Sequence, residues 1–210
     1  MSVEGFVSTS LVMLFVTIDP PGLLPMFISL THGMSNQQRR ETAFRACAIA
    51  FFILGIFAIV GEWLLVKLSI SLPAFRISGG FLLFWTAFEM LFDRRQERKS
   101  STLKTTITPE HIKNIAVFPL AIPLIAGPGA ITATLLLSAK VGSDIIMLFI
   151  MLMVILVVIL ICLLLFMSAE RFYKAIGVTG NILLSRLLGI FLAALAVQFV
   201  IDGVKGVVAS

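Results

Sequence analysis

The chain has 210 residues, of which 59% are hydrophobic and only 13% are charged, and its mean hydropathy is +1.09. Because a soluble domain carries about 25% charged residues, this composition excludes a water-soluble protein and indicates an integral membrane protein. The net charge of +5 comes from basic residues placed mainly between apolar segments, which argues for membrane orientation rather than for nucleic-acid binding.

Six apolar segments are long enough to cross a membrane as helices, which takes about 20 residues each. They are continuous rather than alternating, so strands are excluded as spanning elements. The sequence predicts an all-α membrane protein with six transmembrane helices. The first is expected to stay in place, because the opening "MSVEGFVSTS" lacks the basic residues of a cleavable signal peptide. The segments lie at residues 6–30, 43–66, 72–92, 115–139, 144–167 and 185–207.

Basic residues predict the orientation of the chain. Counted together with the adjoining segment ends, the polar stretches after the first, third and fifth segments hold three, six and three of the 16 Lys and Arg residues, and each other stretch or terminus holds two or fewer. The positive-inside rule places the richer stretches in the cytoplasm and both termini outside. The longest stretch, 93–114, is expected to be a cytoplasmic loop that separates the parts 1–92 and 115–210.

These two parts resemble each other in sequence. "RISGGFLLFWTAFEM" (76–90) aligns with "RLLGIFLAALAVQFV" (186–200), and "LFVTIDPPGLLPMF" (14–27) aligns with "AIPLIAGPGAITAT" (121–134). The matches occur in the same order and at nearly the same offset. Since three helices make an odd number of crossings, the second copy is predicted to be inverted, as in many secondary transporters.

Helix-breaking residues fall near the middle of the first and fourth segments, at Asp19–Gly22 and Gly127–Gly129. Proline removes an amide donor and glycine allows unusual dihedral angles, so both helices are predicted to be broken near the membrane midplane. A break leaves polar backbone groups without partners. That is tolerated only where protein or a water-filled cavity surrounds them.

Two half-helices with open amino ends therefore meet at one depth, where they favour a carboxylate, and the preceding carbonyl ends favour an ammonium group. No Lys or Arg lies deep in a segment, so the predicted ligand is a small neutral amino acid. Small and hydroxyl residues beside the breaks leave space and offer hydrogen bonds. The residues predicted to bind it are Thr17, Asp19, Pro20, Gly22, Ala126, Gly127, Pro128, Gly129, Ala130 and Thr132.

Two carboxylates are candidates for a coupling ion, a proton or sodium. Asp19 either caps the second half-helix, with Pro20 at its first position, or carries the ion, and the two roles are compatible. Glu62 is the other candidate, because a carboxylate within an apolar segment is expensive in lipid. Cys47 and Cys162 lie inside apolar segments and are predicted to be packing residues rather than partners in a disulfide. Neither a metal site nor a cofactor is expected.

Several stretches carry a resemblance to a known family. "DPPGLLPMFISLT" is similar to a DPxGxxPxFxxLT signature, and "PLAIPLIAGPGAIT" is similar to a second signature. Together with "LPAFRISGGFLLF" and "RLLGIFLAALAVQFVIDG", they resemble the MarC family of bacterial and archaeal membrane proteins, also called the neutral amino acid transporter family. The resemblance spans nearly the whole chain, and the 93–114 loop is its least specific part.

The resemblance implies six helices in inverted repeats, a substrate bound at the two breaks, and ion-driven transport of glycine, alanine or similar amino acids. It also implies the cytoplasmic membrane of a prokaryote and adds Pro25 to the site, on the first signature. Leu23 replaces an asparagine common in the family, and Pro21 replaces an aliphatic residue. These two departures bear on the identity of the substrate, because an asparagine amide at position 23 could have bonded it.

Three other functions are weighed against a transporter in which one repeat rocks against the other. A channel or passive exporter of small metabolites needs a continuous polar pore, and the deep polar residues are few. An intramembrane enzyme needs a catalytic set, and Asp19 has no obvious partner. A helical scaffold leaves the matched breaks unexplained. The lipid bilayer is an expected partner, and a homo-oligomer and the direction of transport are left open.

Overall fold

The computed structural model describes residues 3–92, 115–142 and 144–208, and within these ranges the chain is helical with no strand, which confirms the predicted class. The predicted 93–114 loop lies outside the described residues. The helices are α1 (Val3–Ile18), α2 (Leu24–Leu30), α3 (Asn36–Lys67), α4 (Leu72–Leu91), α5 (Pro128–Val141), α6 (Ile145–Met167) and α7 (Ala169–Val208). The segment Ala116–Ile125, here called the double-proline segment, precedes α5.

Side-chain caps fix where three of these helices begin. Ser35 and Gln38 form a reciprocal capping box at the start of α3. Ser71 accepts from the amide of Ala74 ahead of α4, and Asp144 accepts from two amides ahead of α6. These caps satisfy amide donors that the first turn of a helix leaves without intrahelical partners.

The first predicted break is confirmed between α1 and α2. Asp19 has a left-handed backbone, with φ at 54°, which among non-glycine residues is most accessible to Asp and Asn. The chain then turns through hydrogen bonds from Leu23 N to the Asp19 carbonyl (3.2 Å) and from Leu24 N to the Pro21 carbonyl (3.1 Å). The break therefore satisfies much of its own backbone.

The second predicted break, at Gly127–Gly129, is also confirmed, since the double-proline segment ends at Ile125 and α5 begins at Pro128. Two further interruptions, which were not predicted, lie within the segment itself. Phe118 and Ile122 have extended dihedrals inside the double-proline segment, and each precedes a proline. A residue before proline is pushed out of the helical region by the proline ring, which accounts for both interruptions. The axis bends by 57° between this segment and α5.

All six predicted apolar segments coincide with helix, but they do not all have the length and hydropathy of a complete span. Three described helices do, at Asn36–Gly61, Ile145–Met167 and Thr179–Val208, and the bent pair at the second break makes a fourth. α1 is shortened by its break, and α4 carries Arg76 and Glu89, which lower its hydropathy. Six spans and the inverted repeat stay predictions.

The helices form two groups. α4 and α7 pack along their length and run antiparallel, since Gly80 lies against Ala196 and Val200 whereas Gly203 lies against Pro73. We call them the α4–α7 pair. The other group, called the core group, contains α1, α3, the double-proline segment, α5 and α6, which contact one another. Ser138 of α5 donates to the carbonyl of Ala58 of α3 at 2.7 Å within it.

A stacked ring pair holds the short helix α2 in place. Phe27 of α2 and Phe166 near the end of α6 are parallel within 3°, with ring centroids 4.3 Å apart. Both side chains are fully buried. The second half of the first broken helix is thereby anchored to the core group.

The α4–α7 contact predicts opposite effects for two Gly→Ala substitutions. A Cβ on Gly80 would lie 2.8 Å from the Ala196 carbonyl oxygen, so Gly80→Ala should destabilise the protein by about 1–3 kcal/mol through overpacking. A Cβ on Gly55 of α3 would meet only Leu152 Cδ2, at 3.8 Å. Gly55→Ala should therefore leave stability unchanged or raise it by up to about 1 kcal/mol. Thermal unfolding in detergent checks both variants, and equal melting temperatures would contradict the contact.

Candidate functional site

A cavity of about 400 Å³ lies at the second break, between the core group and the α4–α7 pair. The core group supplies one wall from α1, the double-proline segment and α5, and α4 supplies the other, with Met26 of α2 between them. Its lining residues are Thr17, Met26, Leu82, Trp85, Thr86, Glu89, Phe118, Pro119, Pro123, Leu124, Ile125, Gly127, Pro128, Gly129 and Ala130.

The amino end of α5 forms one side of the cavity. Gly127 is its N-cap and no side chain caps it. The first intrahelical bond runs from Ile131 N to the Gly127 carbonyl at 2.9 Å, so the amides of Gly129 and Ala130 lie ahead of it and Pro128 has none. Such amides, together with the helix dipole, favour a bound anion.

Glycine at 127 and 129 allows α5 to begin this close to its neighbours. A Cβ on Gly127 would lie 2.4 Å from the carbonyl oxygen of Pro123. A Cβ on Gly129 would lie 3.1 Å from Thr86 Oγ1 and 3.2 Å from Thr17 Cγ2. The first turn of α5 therefore sits directly between α1 and α4.

Hydrogen-bond acceptors line the opposite side. The hydroxyl hydrogens of Thr17 and Thr86 are donated to their own helices, to the Met13 carbonyl at 2.6 Å and the Leu82 carbonyl at 3.0 Å. Their oxygens keep lone pairs that can accept from a ligand. Glu89 adds a carboxylate, which accepts from Trp85 Nε1 at 3.1 Å. These groups suit an ammonium ion or another donor.

The structure divides the residues that the sequence predicts for the site. Thr17, Gly127, Pro128, Gly129 and Ala130 line the cavity. Outside its lining lie Asp19, Pro20, Gly22, Pro25, Ala126 and Thr132. Ala126 is buried, and the methyl of Thr132 packs against α4, 2.9 Å from the position of a Cβ on Gly79. Glu62 lies on α3, and its side chain is outside what the structure describes.

Asp19 is buried, with 2% of its surface exposed, and its carboxylate joins two elements. Oδ1 accepts from the amide of Gly22 at 3.1 Å, and Oδ2 accepts from the hydroxyl of Ser185 in α7 at 3.2 Å. The carboxylate thus caps the turn that precedes α2, but not α2 itself, which begins at Leu24 with Leu23 as its N-cap and no side-chain cap. The ion-carrying role stays a prediction. Because the amides of Gly22, Leu23 and Leu24 are all bonded within this turn, the helix end with amides ahead of its first intrahelical bond is that of α5.

Four residues that sequence analysis did not select take part in this region. Trp85 and Thr86 of α4 line the cavity, and Ser185 bonds Asp19. Asn181 lies one turn before Ser185 on the same helix, is 2% exposed, and has no hydrogen-bond partner for either amide atom among the described residues. The sixth predicted segment began at residue 185, so Asn181 fell outside it. The regular spacing of hydroxyl and amide residues at 181 and 185 was the available signal.

The whole chain matches a known family. A family model described as MarC family integral membrane protein covers residues 5–208. The chain belongs to the MarC family. It is 38% identical over 207 residues to a UPF0056 membrane protein of Archaeoglobus fulgidus, a match that covers 97% of this chain and 95% of the relative. No solved structure matches the chain.

Other MarC relatives come from both archaea and bacteria. The UPF0056 membrane protein MJ1677 of Methanocaldococcus jannaschii is 37% identical, over 92% of this chain and 93% of its own. The UPF0056 membrane protein YhcE of Escherichia coli is 34% identical, over 92% of this chain and 89% of its own. The family and the apolar helices together establish an integral, multi-pass membrane protein.

The geometry of Asp19 predicts how two substitutions differ. Asp19→Ala removes the acceptor for Gly22 N and places alanine at positive φ, so it should lower stability by about 2–3 kcal/mol. Asp19→Asn keeps an oxygen acceptor and tolerates the left-handed backbone, so its loss should be within about 1 kcal/mol. Thermal unfolding of the purified variants measures the difference, and an alanine variant as stable as the asparagine variant would refute the capping geometry.

Proposed function

We propose that this MarC protein is a secondary active transporter of small neutral amino acids such as glycine and alanine, coupled to a proton gradient across the cytoplasmic membrane of a prokaryote. The observation that carries the proposal is the cavity at the second break, where helix amides and acceptor side chains face one space. Its lining residues, all within the described ranges, include no Lys or Arg. A zwitterion supplies both of the charges that such a site can hold.

In the proposed complex, the carboxylate of the amino acid binds the amides of Gly129 and Ala130 at the start of α5. The ammonium group binds the oxygens of Thr17 and Thr86 and the carboxylate of Glu89. Thr86 Oγ1 lies 3.1 Å from the position of a Cβ on Gly129, so donors and acceptors are close enough for one small molecule. The apolar remainder of the lining, with Met26 and Leu124, leaves room for a hydrogen or methyl side chain.

Alternating access follows from which end of the cavity is closed. The lining runs from Gly129 toward Glu89 and Phe118, which lie at the ends of helices that flank the 93–114 loop. By the distribution of basic residues, this side is the cytoplasm. Away from that side, Thr132 of α5 presses against Gly79 of α4. In the proposed cycle this arrangement is the cytoplasm-facing state, and opening to the outside requires α4 and α5 to separate.

The moving bodies of the proposed cycle are the core group and the α4–α7 pair. If one three-helix repeat rocked against the other, α4 would have to separate from α7. These two helices are tightly packed, because Gly80 of α4 and Gly203 of α7 each lie against a backbone carbonyl of the facing helix. The cavity lies between the core group and the α4–α7 pair, so these are the two bodies proposed to move against each other. The antiparallel packing of α4 and α7 supports the inverted-repeat interpretation, because equivalent helices of inverted copies cross the membrane in opposite directions.

Coupling is assigned to Asp19. Its carboxylate is buried at the first break, bonds Ser185 of the α4–α7 pair, and belongs to the same turn as Gly22. Protonation would remove the charge that these two donors stabilise and thereby alter a contact between the groups that move. Asn181, one turn before Ser185, has no hydrogen-bond partner for its amide in the part of the chain that the structure describes, and it offers a polar site for water along a proton path.

Uptake into proteoliposomes tests the substrate class. Wild-type protein should accumulate labelled glycine or alanine when a proton gradient is imposed, with saturation and with inhibition by excess unlabelled alanine. Gly129→Val should reduce uptake to background, because its side chain fills the space between Thr17 and Thr86. Gly55→Ala is the matched control and should transport normally.

Two outcomes would overturn the site. Normal uptake by correctly inserted Gly129→Val would place binding elsewhere, and no uptake by folded wild-type protein would refute these substrates. Counterflow separates a carrier from a channel, since only a carrier is stimulated by unlabelled substrate on the opposite side. Absence of that stimulation would favour the channel or passive exporter, whose pore would have to pass between Glu89 and Phe118.

Asp19→Asn tests the coupling role separately from binding. The amide keeps an acceptor for Gly22 N but cannot take up a proton, so the variant should retain counterflow and lose stimulation by the proton gradient. Uptake and counterflow measured on the same vesicles give both quantities. Full stimulation of Asp19→Asn would show that another group carries the proton, and Glu62 and Glu89 would then be tested in the same way.

A further inference from the structure

A second cavity, of about 410 Å³, lies where the start of α3 meets the junction between α6 and α7. It is separate from the proposed substrate site and shares none of its lining residues. We call it the basic cavity. Its lining residues are Asn36, Arg39, Arg40, Leu164, Phe166, Met167, Ser168, Ala169 and Arg171.

Three guanidinium groups line this cavity. Arg39 and Arg40 come from α3 and Arg171 from α7, and none of the lining residues, all of which the structure describes, is acidic. Glu41, which follows Arg40, is directed to Arg45 in an ion pair of 2.6 Å. Guanidinium groups present planar pairs of donors that match the oxygens of a phosphate, so the cavity suits a phosphate-bearing ligand.

The other wall of the basic cavity is apolar and faces outward. Leu164 and Met167, in the last turn of the membrane-spanning helix α6, are 62% and 52% exposed. Beside them, Ser168 turns its hydroxyl back to the carbonyl of Leu164. The cavity therefore lies at the level where an apolar span ends and polar chain begins, with exposed hydrocarbon and guanidinium groups side by side.

We propose that the basic cavity binds an anionic phospholipid, with its headgroup phosphate on Arg39, Arg40 and Arg171 and an acyl chain along Leu164 and Met167. A free phosphate ion would use only the arginines and leave the exposed apolar wall uncovered. A lipid uses both walls, and clustered basic residues at the end of a span are the setting in which anionic headgroups bind. This assignment does not depend on the proposed transport activity.

Thermal unfolding of the full chain in mild detergent tests the proposal with three probes: dioleoylphosphatidylglycerol, dioleoylphosphatidylcholine and inorganic phosphate. Only phosphatidylglycerol should raise the melting temperature of the wild type strongly, and native mass spectrometry should show it bound. In Arg39→Gln/Arg40→Gln/Arg171→Gln the apparent affinity should fall about tenfold or more. Arg45→Gln, on the same helix but outside the cavity, should behave as wild type.

Each contrary result identifies what is wrong. If inorganic phosphate stabilised the protein as much as phosphatidylglycerol does, the cavity would be a site for a soluble anion rather than for a lipid. If phosphatidylcholine did so, the negative charge of the lipid headgroup would have no role in binding. An equal loss in Arg45→Gln would reduce the effect to general surface charge, and no stabilisation of the wild type by phosphatidylglycerol would refute the site. Because the three probes are compared on wild-type protein, the proposal remains testable if the triple variant fails to fold, and Arg171→Gln alone then replaces it.

Discussion

A helix broken inside an apolar layer strands amide and carbonyl groups that lipid cannot satisfy, and each unsatisfied group costs several kcal/mol. This MarC protein contains two such breaks and treats them differently. At the first, amides of the turn around Asp19 donate to carbonyls of the same turn, and the amide of Gly22 donates to the Asp19 carboxylate. At the second, no side chain caps α5, and a cavity lies in front of its amides. This difference between two similar sequences is the reason that the proposed binding site is placed at the second break rather than at the first.

The surrounding helices follow from the need to enclose these breaks. Glycines on α3, α4 and α7 bring neighbouring backbones close enough to exclude lipid, as at Gly61 against Ser138 and Gly80 against Ala196. Small residues serve helix association in membranes because no hydrophobic force separates one apolar helix from lipid tails. The same close packing divides the molecule into two groups of helices. The proposed substrate site lies at the boundary between the groups, where side chains line a cavity.

Sequence analysis found the features that depend on local chemistry. Adjacent proline and glycine residues inside an apolar run favour a helix break, so both breaks could be predicted from Asp19–Gly22 and Gly127–Gly129. Features that depend on which helices meet could not be predicted. Thr86 lies in a different apolar segment, and no neighbouring residue indicates that it faces the second break. Ser185 is 166 residues from the carboxylate that it bonds. The basic cavity likewise joins residues of α3 to the junction between α6 and α7, which are far apart in the chain.

The parallel rings of Phe27 and Phe166 have a consequence for how a membrane could influence this protein. Phe166 is a wall of the basic cavity, and its ring also stacks on Phe27 of α2, the element that follows the first break. One buried aromatic side chain thus lies between the proposed lipid cavity and the second half of the broken helix. A lipid that binds more tightly when this ring is in one position would also favour the position of α2 that is compatible with the stacked pair. By thermodynamic reciprocity, the state of the break then sets the affinity for that lipid. Bilayer composition would in this way act as an allosteric effector, and the coupling would pass through the ring of Phe166.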